Sequence, residues 1–401
     1  MNPEASRLWR APRWALAILL AGLATVGPFS IDAYLPGFTG IAEALDATPL
    51  HMQQTLSGYL LGFAVLNLFH GALSDSFGRR PVVLVGMAIF AVASGGCAAA
   101  GSIGQLIFWR VIQGMSAGAG VVVSRAIIRD MFPPHEAQKM MSQVTLFFGI
   151  APAVAPLAGG FLFVHAGWRA VFVLLVIVGL ILFTANWRLL PETLHRDARQ
   201  PLHLGALMRE YARLLTSRRF LLLAFAAGVP FNGVFLYVLS APVFLGKHLQ
   251  LPPTQFFWCF CCVVSGIMGG AWWSGRLAGK LRPRSQVRRG FLIMGATAFA
   301  NVTLNILFVP SPFWALPILG VFAFGWALMT PVVTILALDQ VPERRGLASS
   351  LQASISSLAN ALVAGVLAPL VMESTVALAL CSLGMMLIGL LAWSHVKRDV
   401  C

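Results

Sequence analysis

Charged residues are scarce in this chain. Only 10% of its 401 residues are Asp, Glu, Lys or Arg, whereas soluble globular chains carry about a quarter. With a mean hydropathy of +0.81, the chain has too few polar side chains to cover its apolar residues in water. The composition therefore excludes an ordinary soluble domain and predicts an all-α protein that crosses a membrane several times.

Clusters of metal ligands and catalytic groups are also lacking. Cys259, Cys261 and Cys262 are close in sequence, but no His or carboxylate stands beside them and they lie in an apolar run. We interpret them as packing residues. No nucleophile–base pair or large soluble module is visible either, so neither a membrane enzyme nor a receptor is favoured, and no metal or cofactor is expected.

Acidic residues are half as numerous as basic ones, 14 against 28. This excess does not indicate nucleic acid binding, because the basic residues concentrate in alternate loops between apolar segments. Breaks at Gly, Pro and charge clusters separate twelve such segments. They are 14–36, 50–73, 81–101, 104–127, 139–164, 168–190, 219–245, 254–275, 287–309, 312–338, 346–371 and 374–395. A chain that begins in the cytoplasm would place 25 of the 28 basic residues on that side, which predicts that both termini are cytoplasmic.

The twelve predicted helices fall into two related halves. Residues 1–190 and 219–401 each hold six segments, and the Arg-rich stretch 191–218 joins them in the cytoplasm, either as a short helix on the anionic membrane surface or as a solvated linker. Gly275–Arg282 aligns with Gly71–Gly78, with Gly279 in the place of an Asp. Such degenerate repeats are typical of transporters whose substrate site lies between the halves.

Asp32 is the only acid well inside a predicted segment. A lone buried carboxylate is costly, so it should face a cavity, pair with a cation or be protonated. Alternatively it lies at the outer helix end in headgroup water, although a first helix that continued past Pro36 towards Leu45 would place it deeper. Arg110 is the cation expected at a similar depth; its alternative role is to tie the fourth segment to the first.

Other candidates are aromatic, polar or helix-bending residues. An amphipathic substrate pocket, or simple packing and lipid contact, could explain Phe29, Tyr34, Tyr59, Gln113, Phe231, Asn232, Tyr237, Trp258 and Trp326. The fifth segment contains Pro152, Pro156, Gly159 and Gly160, which make either a bendable helix with a flat face or an ordinary kinked one.

The most specific stretch is a tight polar turn between the second and third segments. It reads Gly71-x-Leu73-x-Asp75-x-x-Gly78-Arg79-Arg80. Together with Ile31–Pro36, Arg110-x-x-Gln113-Gly114, Arg125–Asp130 and Pro191–Leu194, it resembles the major facilitator superfamily, and within it the drug:proton antiporter branch and its Bcr/CflA group. The resemblance is dense in the first half and thinner in the second, where Ser240–Phe244 is the best match.

The resemblance implies a proton-driven exporter of small molecules in a bacterial inner membrane, monomeric and without a cofactor. It implies that Asp32 binds protons and substrate competitively, that Arg110 modulates its proton affinity, and that Gly71, Asp75, Gly78, Arg79 and Arg80 latch helix ends during alternating access. It also implies that the fifth segment marks an exporter, although Ala151 and Ala155 replace glycines of the wider superfamily's motif. The alternative is an importer or facilitator of a polar metabolite, which would usually carry more charged residues within its helices.

Overall fold

The structure is a computed structural model that describes residues 9, 12–132, 134–195, 197, 199, 202–277, 280–338, 340 and 345–396. The chain divides into two compact units, Met1–His203 and Leu204–Cys401. Each unit consists of long helices that pack side by side.

The first unit contains seven helices within the described ranges. They are α1 (Arg13–Asp32), α2 (Phe38–Ala44), α3 (Pro49–Phe77), α4 (Arg79–Ala98), α5 (Ile103–Met131), α6 (Pro134–Ala166) and α7 (Trp168–Leu189). Helix α5 packs against α3 and α4, α4 also packs against α7, and α1 packs against α6. Side-chain oxygens cap two of the helices, because Thr48 accepts from the amide of His51 and Ser102 from that of Gln105.

The second unit repeats much of this arrangement. Its helices are α8 (Leu204–Thr216), α9 (Arg218–Leu239), α10 (Phe257–Leu277), α11 (Pro283–Leu307), α12 (Pro312–Leu338), α13 (Arg345–Leu362), α14 (Ala368–Val371) and α15 (Thr375–His395). Helix α12 packs against α10 and α11, and α11 also packs against α15. These pairings match α5 with α3 and α4, and α4 with α7, in the first unit. Gly279, the repeat position that aligns with Asp75, lies outside the described residues.

Eleven segments of the described chain are long and apolar enough to cross a membrane. The segment predicted at 139–164 is not among them, because the described part of α6 that qualifies as apolar is the shorter stretch Ala151–Ala166. The protein is therefore a multi-pass helical membrane protein, and the twelfth crossing stays a prediction.

Three predicted segments contain a break in the regular α-helix. The first does not stop at residue 36, because a 3₁₀ turn at Leu35–Gly37 leads from α1 into α2 and the apolar segment extends to Ala44. The seventh and eleventh leave regular α-helix for wider π-helical turns at Pro242–His248 and Val363–Leu367. Proline explains the first two changes, since it has no N–H to donate within a helix.

The stretch 191–218 contains the short helix predicted as one of two alternatives. Helix α8 exposes Arg209 and Arg213 on one side and buries Tyr211 and Leu214 on the other. Burial raises the pKa of Tyr211 to about 12. The segment is therefore an amphipathic helix with a basic outer face.

Candidate functional site

Asp32 is the last residue of α1 and is only 6% exposed. It is the one carboxylate among the buried residues that the structure describes. The helical path continues for twelve more residues to Ala44, so Asp32 lies about 18 Å from the end of the segment. No described basic residue forms a salt bridge with it. A charged carboxylate that is buried without such a partner costs free energy.

Arg110 is fully buried on α5 and sits between two aromatic rings. Its guanidinium carbon is 4.7 Å from the ring centroid of Tyr34 and 4.4 Å from that of Tyr59. Nη1 donates to the Ser30 carbonyl at 3.3 Å and to Gln113 Oε1 at 2.6 Å, whereas Nε and Nη2 have no hydrogen-bond partner in the described structure. Arg110 thus touches α1 through a carbonyl and does not pair with Asp32, although both lie within electrostatic range of the Tyr59 hydroxyl.

Both tyrosines beside Arg110 are fixed by hydrogen bonds. The Tyr59 hydroxyl donates to the Gly27 carbonyl at 3.0 Å and accepts from Ser30 Oγ at 2.9 Å. The Tyr34 hydroxyl is 2.7 Å from Thr55 Oγ1. The Tyr59 bonds join α3 to α1, and the Tyr34 bond joins α3 to the turn after α1. The two aromatic faces are thus held around the guanidinium, where a cation is attracted by the ring electrons.

A second chain of hydrogen bonds orients Arg110 from α4. Gln113 Nε2 donates to Ser94 Oγ at 2.7 Å, and Ser94 Oγ donates to the Phe90 carbonyl at 2.7 Å. Sequence reasoning missed Ser30, Ser94 and Thr55. In the sequence, the only feature that marks these residues is a small hydroxyl side chain within an apolar segment, and such side chains are common in membrane helices.

Glycines bring the backbones around this site into contact. A Cβ on Gly114 would lie 2.0 Å from the carbonyl oxygen of Tyr59, and one on Gly120 would lie 2.1 Å from that of Leu23. Only glycine allows α5 to approach α3 and α1 so closely. This close packing sets the depth at which Arg110 faces its partners.

The fifth predicted segment lies against the turn that follows Asp32. A Cβ on Gly159 would lie 2.0 Å from the Ala33 carbonyl oxygen, and Ala33, Ala155 and Val171 form a buried cluster that Phe29 joins from α1. The other three candidate residues predicted in this segment also lie on α6: Pro152 is half-buried, and Pro156 and Gly160 are buried. Phe29 therefore packs between helices in this structure.

The second unit brings some of its predicted pocket residues together. The rings of Phe231 and Trp326 are 4.7 Å apart between centroids, and Trp326 Nε1 donates to the Ala227 carbonyl at 2.8 Å. Buried Asn232 donates to Gly228, while its Oδ1 has no partner in the described structure. Phe231 and Trp326 thus form an aromatic surface between α9 and α12, and Asn232 is buried next to Phe231 in the sequence of α9.

Two predicted pocket residues lie apart from that surface. Tyr237 is buried, its hydroxyl accepts from Asn301 Nδ2 at 2.8 Å, and its ring packs edge-on against Phe244. Trp258 is 52% exposed and contacts its neighbour Phe257, with ring centroids 4.6 Å apart. The structure therefore does not gather all the predicted pocket residues of the second unit at one place.

The polar turn predicted from sequence is a network of charges, which we call the charged turn. Arg79 is buried, and its Nη1 contacts Asp75 Oδ1 at 2.5 Å and Ser74 Oγ at 2.7 Å. Its Nε donates to Asp130 Oδ2 at 3.0 Å. Arg80 donates to the Trp187 carbonyl at 2.5 Å. Sequence reasoning missed Asp130 as a partner, although Arg79 holds α3 and α5 together through it.

Glu192 closes the charged turn from the other side. Its Oε1 accepts from the backbone amides of Arg79, at 2.9 Å, and Leu194, at 3.0 Å. Gly78 has a φ of +102°, and a Cβ there would lie 2.3 Å from Glu192 Oε2. Glycine is therefore required at this position by both backbone conformation and space. Gly71 lies half-buried on α3, and its carbonyl accepts from Ser74 Oγ at 2.9 Å.

Comparison with known proteins identifies relatives along nearly the whole chain. A sequence profile described as "Major Facilitator Superfamily" matches residues 13–364. The chain is 30% identical over 361 residues to the "Bicyclomycin resistance protein homolog" of Haemophilus influenzae, covering 89% of each. It is 28% identical to "Multidrug resistance protein D" of Escherichia coli, covering 94% of each. The structure superposes on the partially occluded inward-open xylose transporter XylE from E. coli with a TM-score of 0.70, at 15% identity and over 96% of this chain and 98% of that one, which shows a shared fold.

Proposed function

The chain belongs to the major facilitator superfamily of membrane transporters, and we propose that it is a proton-coupled exporter of small, partly apolar compounds, a drug:proton antiporter. The names of its relatives, bicyclomycin resistance and multidrug resistance, support export of drug-like molecules. We place it in a bacterial inner membrane, with twelve helices, both termini in the cytoplasm and alternating access as its mode of action. It works as a monomer, with the proton gradient as its energy source.

The observation that carries this proposal is the state of Asp32. A transporter driven by protons needs a group inside the membrane that can bind and release one. Among the described buried residues, Asp32 is the only carboxylate, and it forms no salt bridge with a described residue. It is therefore not paired with a described cation, and in the proposed cycle it can bind a proton, or a cationic or polar group of a substrate, when the site opens.

The proposed cycle uses competition at this carboxylate. A substrate that binds beside Asp32 replaces the proton on the carboxyl oxygen, and the proton leaves to the side to which the site is open. After the site has opened to the outside and the substrate has left, an incoming proton neutralises Asp32 again. Arg110, held by Tyr34 and Tyr59 nearby, favours the charged carboxylate and so assists proton release.

The charged turn is proposed to control the alternation. Arg79 contacts Asp75 and Asp130 at once, so a change in the packing of α3 against α5 must break charged hydrogen bonds. Such bonds contribute about 1.5–3 kcal/mol each. The network can therefore set how long one state persists before the transporter converts to the other.

The test measures proton release from purified protein in weakly buffered detergent solution when a cationic drug is added. Wild-type protein should release protons on binding. Asp32→Asn keeps a similar volume but has no proton to release, so the signal should vanish, and drug accumulation driven by a pH gradient in vesicles should fall to background.

The matched control is Glu43→Gln, which changes another acid to its amide at an exposed position of α2. It should behave as wild type. Proton release by Asp32→Asn equal to wild type would place coupling at another residue. Transport by wild type of a polar metabolite down its gradient, without any proton movement, would instead favour the importer or facilitator.

A further inference from the structure

The second unit contains a basic pocket that the proposed transport cycle does not use. The pocket has a volume of about 580 Å³ and lies where α11 begins and α15 ends. Arg284 and Arg288 line it from α11, and Ser285 and Ser394 add hydroxyl groups. Because the two arginines are four residues apart, they lie on one face of the helix, one turn from each other.

The same pocket becomes apolar along the helices. Leu292 follows Arg288 by one turn and is 61% exposed, and Leu390 lies one turn before Ser394 and is 37% exposed. Trp393 lines the boundary between the two regions, a position that tryptophan favours at the edge of a membrane. The pocket therefore has a cationic end and an apolar end that continues along membrane-spanning helices.

The cationic end has no internal counter-charge in the described part of the chain. Neither Arg284 nor Arg288 forms a salt bridge with a described carboxylate. Two guanidinium groups one turn apart repel each other, and an anion between them would remove this repulsion and form charge-assisted hydrogen bonds.

The corresponding pocket of the first unit shows what such a site looks like when the protein supplies the anion. In the register that aligns Gly71 with Gly275, Arg284 corresponds to Arg80. The pocket beside Arg80, of about 610 Å³, includes the carboxylate of Glu192, which pairs with Arg199 at 3.8 Å. The described lining of the pocket between α11 and α15 includes no carboxylate.

We propose that this pocket binds an anionic phospholipid from the surrounding membrane. The phosphate lies between Arg284 and Arg288, within reach of the Ser285 and Ser394 hydroxyls, and one acyl chain follows Leu292 and Leu390. Basic pockets between membrane helices on the cytoplasmic side are suited to anionic headgroups. A free phosphate would use only the cationic end, whereas a phospholipid accounts for both ends of the pocket.

The test is native mass spectrometry of the purified protein in a mild detergent, with phosphatidylglycerol titrated in. The double variant Arg284→Gln/Arg288→Gln should bind it about 25-fold more weakly, because each basic residue near an anionic lipid surface contributes about fivefold. The matched control, Arg284→Lys/Arg288→Lys, changes the same two side chains but keeps both charges, and should keep most of the binding of wild type.

Two further titrations distinguish the sources of the anion. Phosphatidylcholine should bind weakly to every variant, and inorganic phosphate should not displace phosphatidylglycerol at millimolar concentration. Equal binding by the two double variants, or equal binding of both lipids to wild type, would overturn the proposal. Complete displacement by phosphate would also overturn it and identify a phosphate site. None of these readouts depends on transport, so they stand apart from the test of Asp32.

Discussion

Three charged side chains, Asp32, Arg79 and Arg110, are buried in the first unit, whereas every buried polar residue in the described part of the second unit is neutral. In the second unit, Gln286 donates to Ser274 and to the Leu328 carbonyl, and Asn301 donates to Tyr237. The helix pairings are nevertheless alike in the two units. The same packing can thus be built with neutral hydrogen bonds alone.

The difference teaches that the buried charges are not needed for this fold. Burying an ion costs several kcal/mol unless good partners replace water, and Arg110 leaves two of its nitrogens without a partner in the described structure. A protein that keeps so costly a group in one unit, and does without it in the other, is expected to use it. This contrast supports the proposal that proton coupling belongs to the first unit, whereas the buried polar residues described in the second unit form neutral hydrogen bonds.

The largest expected effect comes from replacing Arg110. Arg110→Met keeps a long side chain between Tyr34 and Tyr59 but removes the charge. The substitution removes the cost of burying an ion but leaves the buried Gln113 Oε1 atom without its donor, so the free energy of unfolding should fall by at most about 1–3 kcal/mol. Drug export driven by a pH gradient should be lost, because nothing then favours release of the proton from Asp32.

The matched variant in the second unit is Asn301→Leu. It leaves the Tyr237 hydroxyl without its donor, whereas the Asn305 amide keeps its hydrogen bond to the backbone carbonyl of residue 301. The loss should cost about 1–3 kcal/mol of stability while export continues. Thermal unfolding in detergent should thus show similar losses of stability for the two variants, whereas export in vesicles should be lost in Arg110→Met alone. A larger loss of stability for Arg110→Met than for Asn301→Leu would show that Arg110 serves to tie α5 to α1.

A smaller effect is expected at the charged turn. Asp75→Asn removes one of the two carboxylates that hold Arg79, and loss of a charged hydrogen bond of about 1.5 kcal/mol changes a conformational equilibrium about tenfold. The initial rate of export should fall by about that factor, with insertion into the membrane unchanged. The loss should be incomplete, because Asp130 remains 3.0 Å from Arg79.

The comparison pair for Asp75 and Arg79 is Lys247 with Glu373 in the second unit. Both side chains of that pair are more than half exposed, and exposed ion pairs contribute about 0–1 kcal/mol. Glu373→Gln should therefore leave the export rate unchanged. A full rate for Asp75→Asn as well would mean that the charged turn only helps to orient the chain in the membrane.

The sequence was sufficient to place most of the helices. Apolar runs ended by proline, glycine or charge predicted 312–338 and 374–395 within one residue of α12 and α15, because membrane helices need about 20 apolar residues and little else. Burial of Asp32 and Arg110 was also predictable, since both lie inside such runs. The π-helical turns at Pro242–His248 and Val363–Leu367 were not predicted, because a proline or an apolar run does not by itself show whether a helix ends, bends or widens.

The partners of the candidate residues could not be predicted. Arg110 meets Tyr34 and Tyr59 because of the rotation of α1 and α3 about their own axes, and backbone contacts at Gly114 and Gly120 fix that rotation. The spacing of residues along one segment does not show how that helix is rotated towards its neighbours. Trp258 shows the same limit, since an aromatic residue in an apolar run can face a neighbouring helix or, as here, the exposed side.

The smallest expected effect tests whether the two units differ in backbone as well as in charge. In the repeat register, Gly78 corresponds to Arg282. Gly78 has a φ of +102° and a ψ of 156°, a region that is essentially restricted to glycine, whereas Arg282 has a φ of −61° that any residue adopts. The first unit therefore has a turn whose backbone angles favour glycine, whereas the second unit has ordinary backbone angles at the corresponding position.

Gly78→Ala should destabilise the protein by about 1–3 kcal/mol and lower the export rate severalfold. The new Cβ would also displace Glu192, whose carboxylate then no longer accepts from the amides of Arg79 and Leu194. Arg282→Ala should change neither thermal unfolding nor export, because it alters an exposed side chain on an unstrained backbone. If Gly78→Ala were as harmless as Arg282→Ala, the turn would accept a side chain, and the charged turn would owe its geometry to its ion pairs alone. If Arg282→Ala were as damaging as Gly78→Ala, the two turns would be equivalent and the contrast between the units would be limited to their buried charges.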